Sequence, residues 1–69
     1  MRIVRLPFKD GTQADETHRG VVISRWLKDQ GLKMGSDYTW MVSTKDRELH
    51  FMFNGNTESW ATMLTMKEL

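Results

Sequence analysis

Residues 37–53, Asp-Tyr-Thr-Trp-Met-Val-Ser-Thr-Lys-Asp-Arg-Glu-Leu-His-Phe-Met-Phe, concentrate large apolar side chains in an order that fits two strands folded back on one another. With Thr44 to Arg47 as a polar turn and Ser43 facing Glu48, Val42 falls opposite Leu49, Trp40 opposite Phe51 and Tyr38 opposite Phe53. All six then share one face, because side chains alternate along a strand. The other face carries Thr39, Met41, Ser43, Glu48, His50 and Met52, the half-polar set expected of an antiparallel sheet with one solvated side. A slip of one residue would exchange the two faces, so the pattern specifies the register.

The rest of the chain must cover the apolar face with little material. Sixty-nine residues allow a single domain, 1–69, and a chain this short buries only about 60% of its unfolded surface. Three Trp, three Phe, one Tyr and six Met supply the bulk. There is no Cys, which removes a disulfide framework, a thiolate zinc site and a Cys nucleophile together. A reducing, cytoplasmic setting is the expectation. The N-terminal Met-Arg-Ile-Val-Arg-Leu-Pro-Phe-Lys-Asp places charges and a proline among its apolar residues, unlike the apolar core of a signal peptide. No stretch is apolar enough to span a bilayer. Ten Lys/Arg are interspersed with nine Asp/Glu for a net charge of +1, which argues against binding nucleic acid by bulk charge.

Arg2 to Phe8 alternates as a strand, and Pro7, which has no amide donor, places its end at a sheet edge or where pairing stops. Lys9-Asp10-Gly11-Thr12 reads as a turn with positive φ at Gly11. A helix is expected from near Asp15, where Asp15, Glu16 and Thr17 offer capping oxygens and negative charge. Val22, Ile23, Trp26 and Leu27 form its apolar stripe, widened by Val21, with Arg19, Arg25, Lys28 and Asp29 on the wet side. Gln30-Gly31-Leu32 fits a left-handed C′ glycine followed by an apolar residue folding back. Gly20 inside this helix means either a later start or a neighbour that packs closely there.

Asn54 to Thr57 reads as a loop ahead of a second helix whose inner face is Trp60, Met63 and Leu64. Leu64 to Lys67 also alternates like a strand. The order is therefore β-α-β-β-α, or β-α-β-β-α-β in the split ferredoxin-like arrangement. Either is an α+β two-layer sandwich, an antiparallel sheet with helices on one face.

No catalytic, metal or nucleotide motif is present. His18 lies early in the first helix and His50 on the solvated face of the hairpin, and two His without convergent carboxylates do not define a zinc site. Asp15/Glu16, Asp46/Glu48 and Glu58/Glu68 are accounted for by caps, a turn and solvated faces. Ser24, Ser36, Ser43 and Ser59 lack a nucleophile elbow, and the scattered glycines make no phosphate loop. No enzyme activity, cofactor or metal is expected. An RNA-binding sheet would stack bases on exposed aromatics, but here Tyr38, Trp40, Phe51 and Phe53 fall on the face that the helix needs. The opposite face offers Ile3, Thr39, Met41, His50 and Met52. Either the second helix or the C-terminal segment covers this patch, or its methionines suit adaptable contacts with another protein or with a second copy. The alternative partner is nucleic acid, with Arg2, Arg5, Lys9, Arg19, Arg25 and Lys28 on its phosphates.

At Asp37-Tyr38-Thr39-Trp40, and again over Glu58 to Met66, the chain resembles small uncharacterised α+β accessory proteins of tailed bacteriophages. The resemblance covers roughly the C-terminal half and carries over no functional residue. What it implies is a cytoplasmic protein of the infected cell that acts by binding a host or viral macromolecule.

Overall fold

The computed structural model describes residues 1–9 and 11–69. Strand β1 spans Arg2–Pro7, helix α1 Gln13–Asp29, strand β2 Tyr38–Ser43, strand β3 Glu48–Phe53 and helix α2 Ser59–Glu68, the last preceded by a 3-10 turn over Gly55–Thr57. The sheet order is β1-β3-β2, antiparallel throughout. No helix among the described residues is long and apolar enough to cross a membrane.

The hairpin has the register that its alternation requires: Tyr38 faces Phe53, Trp40 faces Phe51, Val42 faces Leu49 and Ser43 faces Glu48. Leu49, Phe51 and Phe53 on central β3 are fully buried, and Val4 and Leu6 of β1 extend the same face. In the hairpin turn the Asp46 amide donates to Ser43 Oγ, and Arg47 takes a positive φ of 55°. Arg47 then lies over the Phe8 ring.

Helix α1 starts earlier than Asp15, at a capping box: Thr12 Oγ1 accepts from the Asp15 amide while Asp15 Oδ2 accepts from the Thr12 amide. Asp15 is thus the third residue of the helix, where its carboxylate serves a cap that Thr12 supplies. The expected turn at Lys9 to Thr12, with its dihedral at Gly11, involves Asp10 and lies outside the described residues. The C-terminus closes as a Schellman motif, with the Gly31 amide on the Lys28 carbonyl, the Leu32 amide on the Leu27 carbonyl, and Gly31 at φ 95°. Leu32 is buried, folded back on the last turn.

The buried face of α1 is rotated from the expected stripe. Glu16, Gly20, Ile23, Ser24 and Leu27 are buried, whereas Val21 and Val22 are exposed and Trp26 is half-buried. Two contacts explain the rotation. Gly20 lies on the Trp40 ring, and Ser24 Oγ is 2.6 Å from the Tyr38 hydroxyl, which also donates to the Ser24 carbonyl. Close approach at Gly20 and a satisfied buried hydroxyl pair outweigh two exposed valines.

Helix α2 runs to Glu68, so residues 64–68 are helix and the order is β-α-β-β-α, with three strands. Its buried residues are Ala61 and Leu64, while Met63 is exposed. Trp60 meets Trp26 edge-to-face with centroids 5.7 Å apart, which joins the two helices. Both helices feed the same core, Ile23 and Leu27 from α1 and Ala61 and Leu64 from α2 against Val4, Leu6, Tyr38, Leu49, Phe51 and Phe53. The architecture is α+β, with one helical layer and one sheet layer.

Candidate functional site

With both helices on one side, the other side of the sheet has no helix over it among the described residues. Register and alternation set its side chains in three rows across β1, β3 and β2: Ile3–Met52–Thr39, Arg5–His50–Met41 and Pro7–Glu48–Ser43. The five residues expected there, Ile3, Thr39, Met41, His50 and Met52, are therefore neighbours. Ile3 is 44% and Met41 49% exposed, and Met52, Thr39 and His50 are half-buried. The first row is mostly apolar and the last is polar.

Arg5 occupies the middle row opposite His50, a member of this face that the hairpin pattern alone does not reveal. His50 Nε2 lies 3.0 Å from Glu48 Oε1. These two share a face because they are two apart on one strand, and half-burial favours their pairing over separate hydration. Asp46 completes a group with Glu48 and His50 whose ligand atoms lie within 4.8 Å of one another. This is the one such convergent set among the described residues, and it could offer two oxygens and a nitrogen to a divalent cation. Its arrangement is already explained by the Ser43–Asp46 turn and the Glu48–His50 contact.

The cations named for phosphate contact are distributed over both layers. Arg2 sits on the helix-side face of β1, Arg5 on the opposite face, Lys9 beyond the strand, and Arg25 and Lys28 on the outside of α1. Arg19 is not on a wet face. Its Nη1 is 2.9 Å from Glu16 Oε1, its Nε is 3.2 Å from Glu68 Oε1, and its buried Nη2 has no hydrogen-bond partner among the described residues. Glu16 and Glu68 thus tie the start of α1 to the end of α2, more than a cap and a solvated face would. His18 is exposed on α1.

Compared with known proteins, the chain matches no protein-family model, no curated protein and no solved structure.

Proposed function

We propose that this chain is a small, non-enzymatic protein-interaction domain that binds through the helix-free face of its sheet. One observation carries the reading: both helices pack on the same side, which leaves exposed Ile3 and Met41, with half-buried Met52 and Thr39 between them, as a largely apolar patch without a helix over it. Contiguous apolar surface on so small a protein is characteristic of an interface, and methionine adapts its shape to a partner at little cost. The face is open rather than cleft-like, and its one titratable pair, Glu48 and His50, is already joined. That supports binding over catalysis, which needs an acid or base in a desolvated pocket. A cytoplasmic accessory protein of the phage type would act in this way, on a viral or host protein.

A second copy of the chain is the partner to test first. Across a two-fold axis on this face, Arg5 of one copy and Glu48 of the other offer opposite charges beside the apolar row. Light scattering after size exclusion should show concentration-dependent dimerisation of the wild type, lost in Met41→Lys/Met52→Lys with an unchanged circular dichroism spectrum. Identical behaviour of wild type and variant, both in self-association and in binding any isolated partner, would leave the face idle and reject the reading.

A further inference from the structure

The two edges of the sheet are unlike. Along an antiparallel pair, backbone groups alternate between facing the partner strand and facing away. The Phe8 amide donates to the Arg47 carbonyl at 2.8 Å, which sets the phase on β1: Arg2, Val4 and Leu6 face β3, while Ile3, Arg5 and Pro7 turn their backbone outward. Pro7 has no N–H to present there, so this edge is a poor template for a further strand.

On β2 the Asn54 amide donates to the Asp37 carbonyl at 3.0 Å, so Thr39, Met41 and Ser43 face β3, and Tyr38, Trp40 and Val42 face outward. The outward groups of Tyr38 are occupied, its carbonyl by the Gly35 amide and its amide by the Lys33 carbonyl. Among the described residues, Trp40 and Val42 make no backbone hydrogen bond to any segment outside the sheet. Beside them, between α1 and β2, runs a groove of about 310 Å³ lined by Val21, Ser24, Arg25, Lys28, Met34 and Trp40. Because Gly20 meets Trp40 and Ser24 meets Tyr38, α1 runs opposite to β2. Val21 therefore stands near Trp40, and Arg25 and Lys28 lie toward the Met34 end. Val21 is 40% and Met34 48% exposed, and neither Arg25 nor Lys28 is ion-paired among the described residues.

We infer that the outer edge of β2 takes up an extended, acidic peptide as a fourth strand. An apolar side chain of the peptide sits over Val21 and Trp40, and a carboxylate at its Met34 end meets Arg25 and Lys28. Main-chain hydrogen bonds to Trp40 and Val42 supply affinity, and alternate side chains entering the groove supply selectivity. Charge decides the occupant. A second copy adding its own β2 antiparallel would carry Asp37 to the far end and bring Ser43-Thr44-Lys45 toward Arg25 and Lys28, a cation where the groove calls for a carboxylate. The inference rests on the domain being a protein binder but uses a site separate from the helix-free face.

The test is a titration of the ¹⁵N-labelled, ¹³C-methyl-labelled chain with the peptide acetyl-Thr-Val-Thr-Val-Thr-Glu. It is run as the free acid, as the C-terminal amide, as the amide with Gln for Glu, and N-methylated at alternate residues. Saturable binding of the free acid is expected, with shifts at Val21, Trp40 and Val42 and none at the Met41 and Met52 methyls. Arg25→Glu/Lys28→Glu should weaken it about tenfold or more, the scale of lost charge contacts. N-methylation of the amides that face β2 should abolish it. Binding by the Glu amide would assign recognition to a side-chain carboxylate, and loss on amidation to a chain terminus; either supports the site. Equal affinity of the acidic and neutral peptides, absence of saturable binding, or shifts confined to the helix-free face would overturn it. Met41→Lys/Met52→Lys should bind the peptide as wild type does, so failure of the sheet-face reading and failure of this one are separately visible.

Discussion

Gly20 of α1 lies so close to Trp40 of β2 that a Cβ at position 20 would stand 2.2 Å from Cζ3 of the indole. The missing side chain sets the distance between the helical and sheet layers. In a solvated helix Gly→Ala gains up to about 1 kcal/mol, but here the added methyl forces the indole or the helix to move. We expect Gly20→Ala to lose about 1–3 kcal/mol, the usual cost of overpacking, read as a lower urea midpoint with an unchanged slope. In a Trp40→Leu background the same substitution should stabilise, and the double-mutant cycle measures the contact.

Arg19 holds two carboxylates that have little other solvation, one from each helix. Arg19→Met keeps the aliphatic stem and leaves Glu16 and Glu68 buried without a cation. A loss of about 3 kcal/mol is expected, at the lower end for a broken buried pair because Arg19 keeps some exposure. Adding Glu16→Gln and Glu68→Gln to that variant should restore most of it in a denaturant melt. Restoration would show that stranded charge, not lost packing, is the cause.

Gly31 at φ 95° ends α1. Among the described residues nothing lies within 4 Å of a Cβ built there, so the backbone alone resists substitution. Gly31→Ala should cost about 1 kcal/mol, and Gly31→Asn less, since Asn tolerates the left-handed region. For a domain of this size 1 kcal/mol corresponds to roughly 4–8 °C in Tm, so calorimetry ranks the three chains.

Trp40 stacks on Phe51 with centroids 5.6 Å apart and planes 9° from parallel. Its outer edge is partly wet, so Trp40→Ala should fall near the lower end of the about 3–5 kcal/mol range for core Trp and Phe truncation. That is a large share of what a domain of about 70 residues holds in reserve. A wild-type melting curve for this variant would place the indole outside the core.

The hairpin and its two faces were legible because alternation there runs through two six-residue strands whose apolar members match across the turn. The neighbours of the uncovered face followed from it and from the same alternation in β1. The four-residue alternation at Leu64 to Lys67 was too short to tell strand from helix. The closing turn of α1 was legible for a similar reason, since Gln30-Gly31-Leu32 encodes a specific set of hydrogen bonds. The orientation of α1 was not. Hydrophobicity placed Val22 inward, whereas the helix is turned by the smallness of Gly20 and the hydroxyl of Ser24, and both depend on partners in β2. Arg19, Glu16 and Glu68 were read as separate surface charges because nothing local joins residues 49 positions apart. Pro7 announced an edge, but the open side of β2 became visible only once β1 was seen to pair on the far side of β3.

That last asymmetry limits what the sheet can become. A sheet with two receptive margins can recruit copies of itself indefinitely and grow into a fibril. With Pro7 leaving a gap in the donors of one margin, only β2 is left to pair, and the acidic peptide inferred above would cap that margin with a strand of foreign sequence. The proline therefore leaves this short, methionine-rich chain with one receptive border in place of two, which denies it the second template that stepwise stacking of identical copies requires.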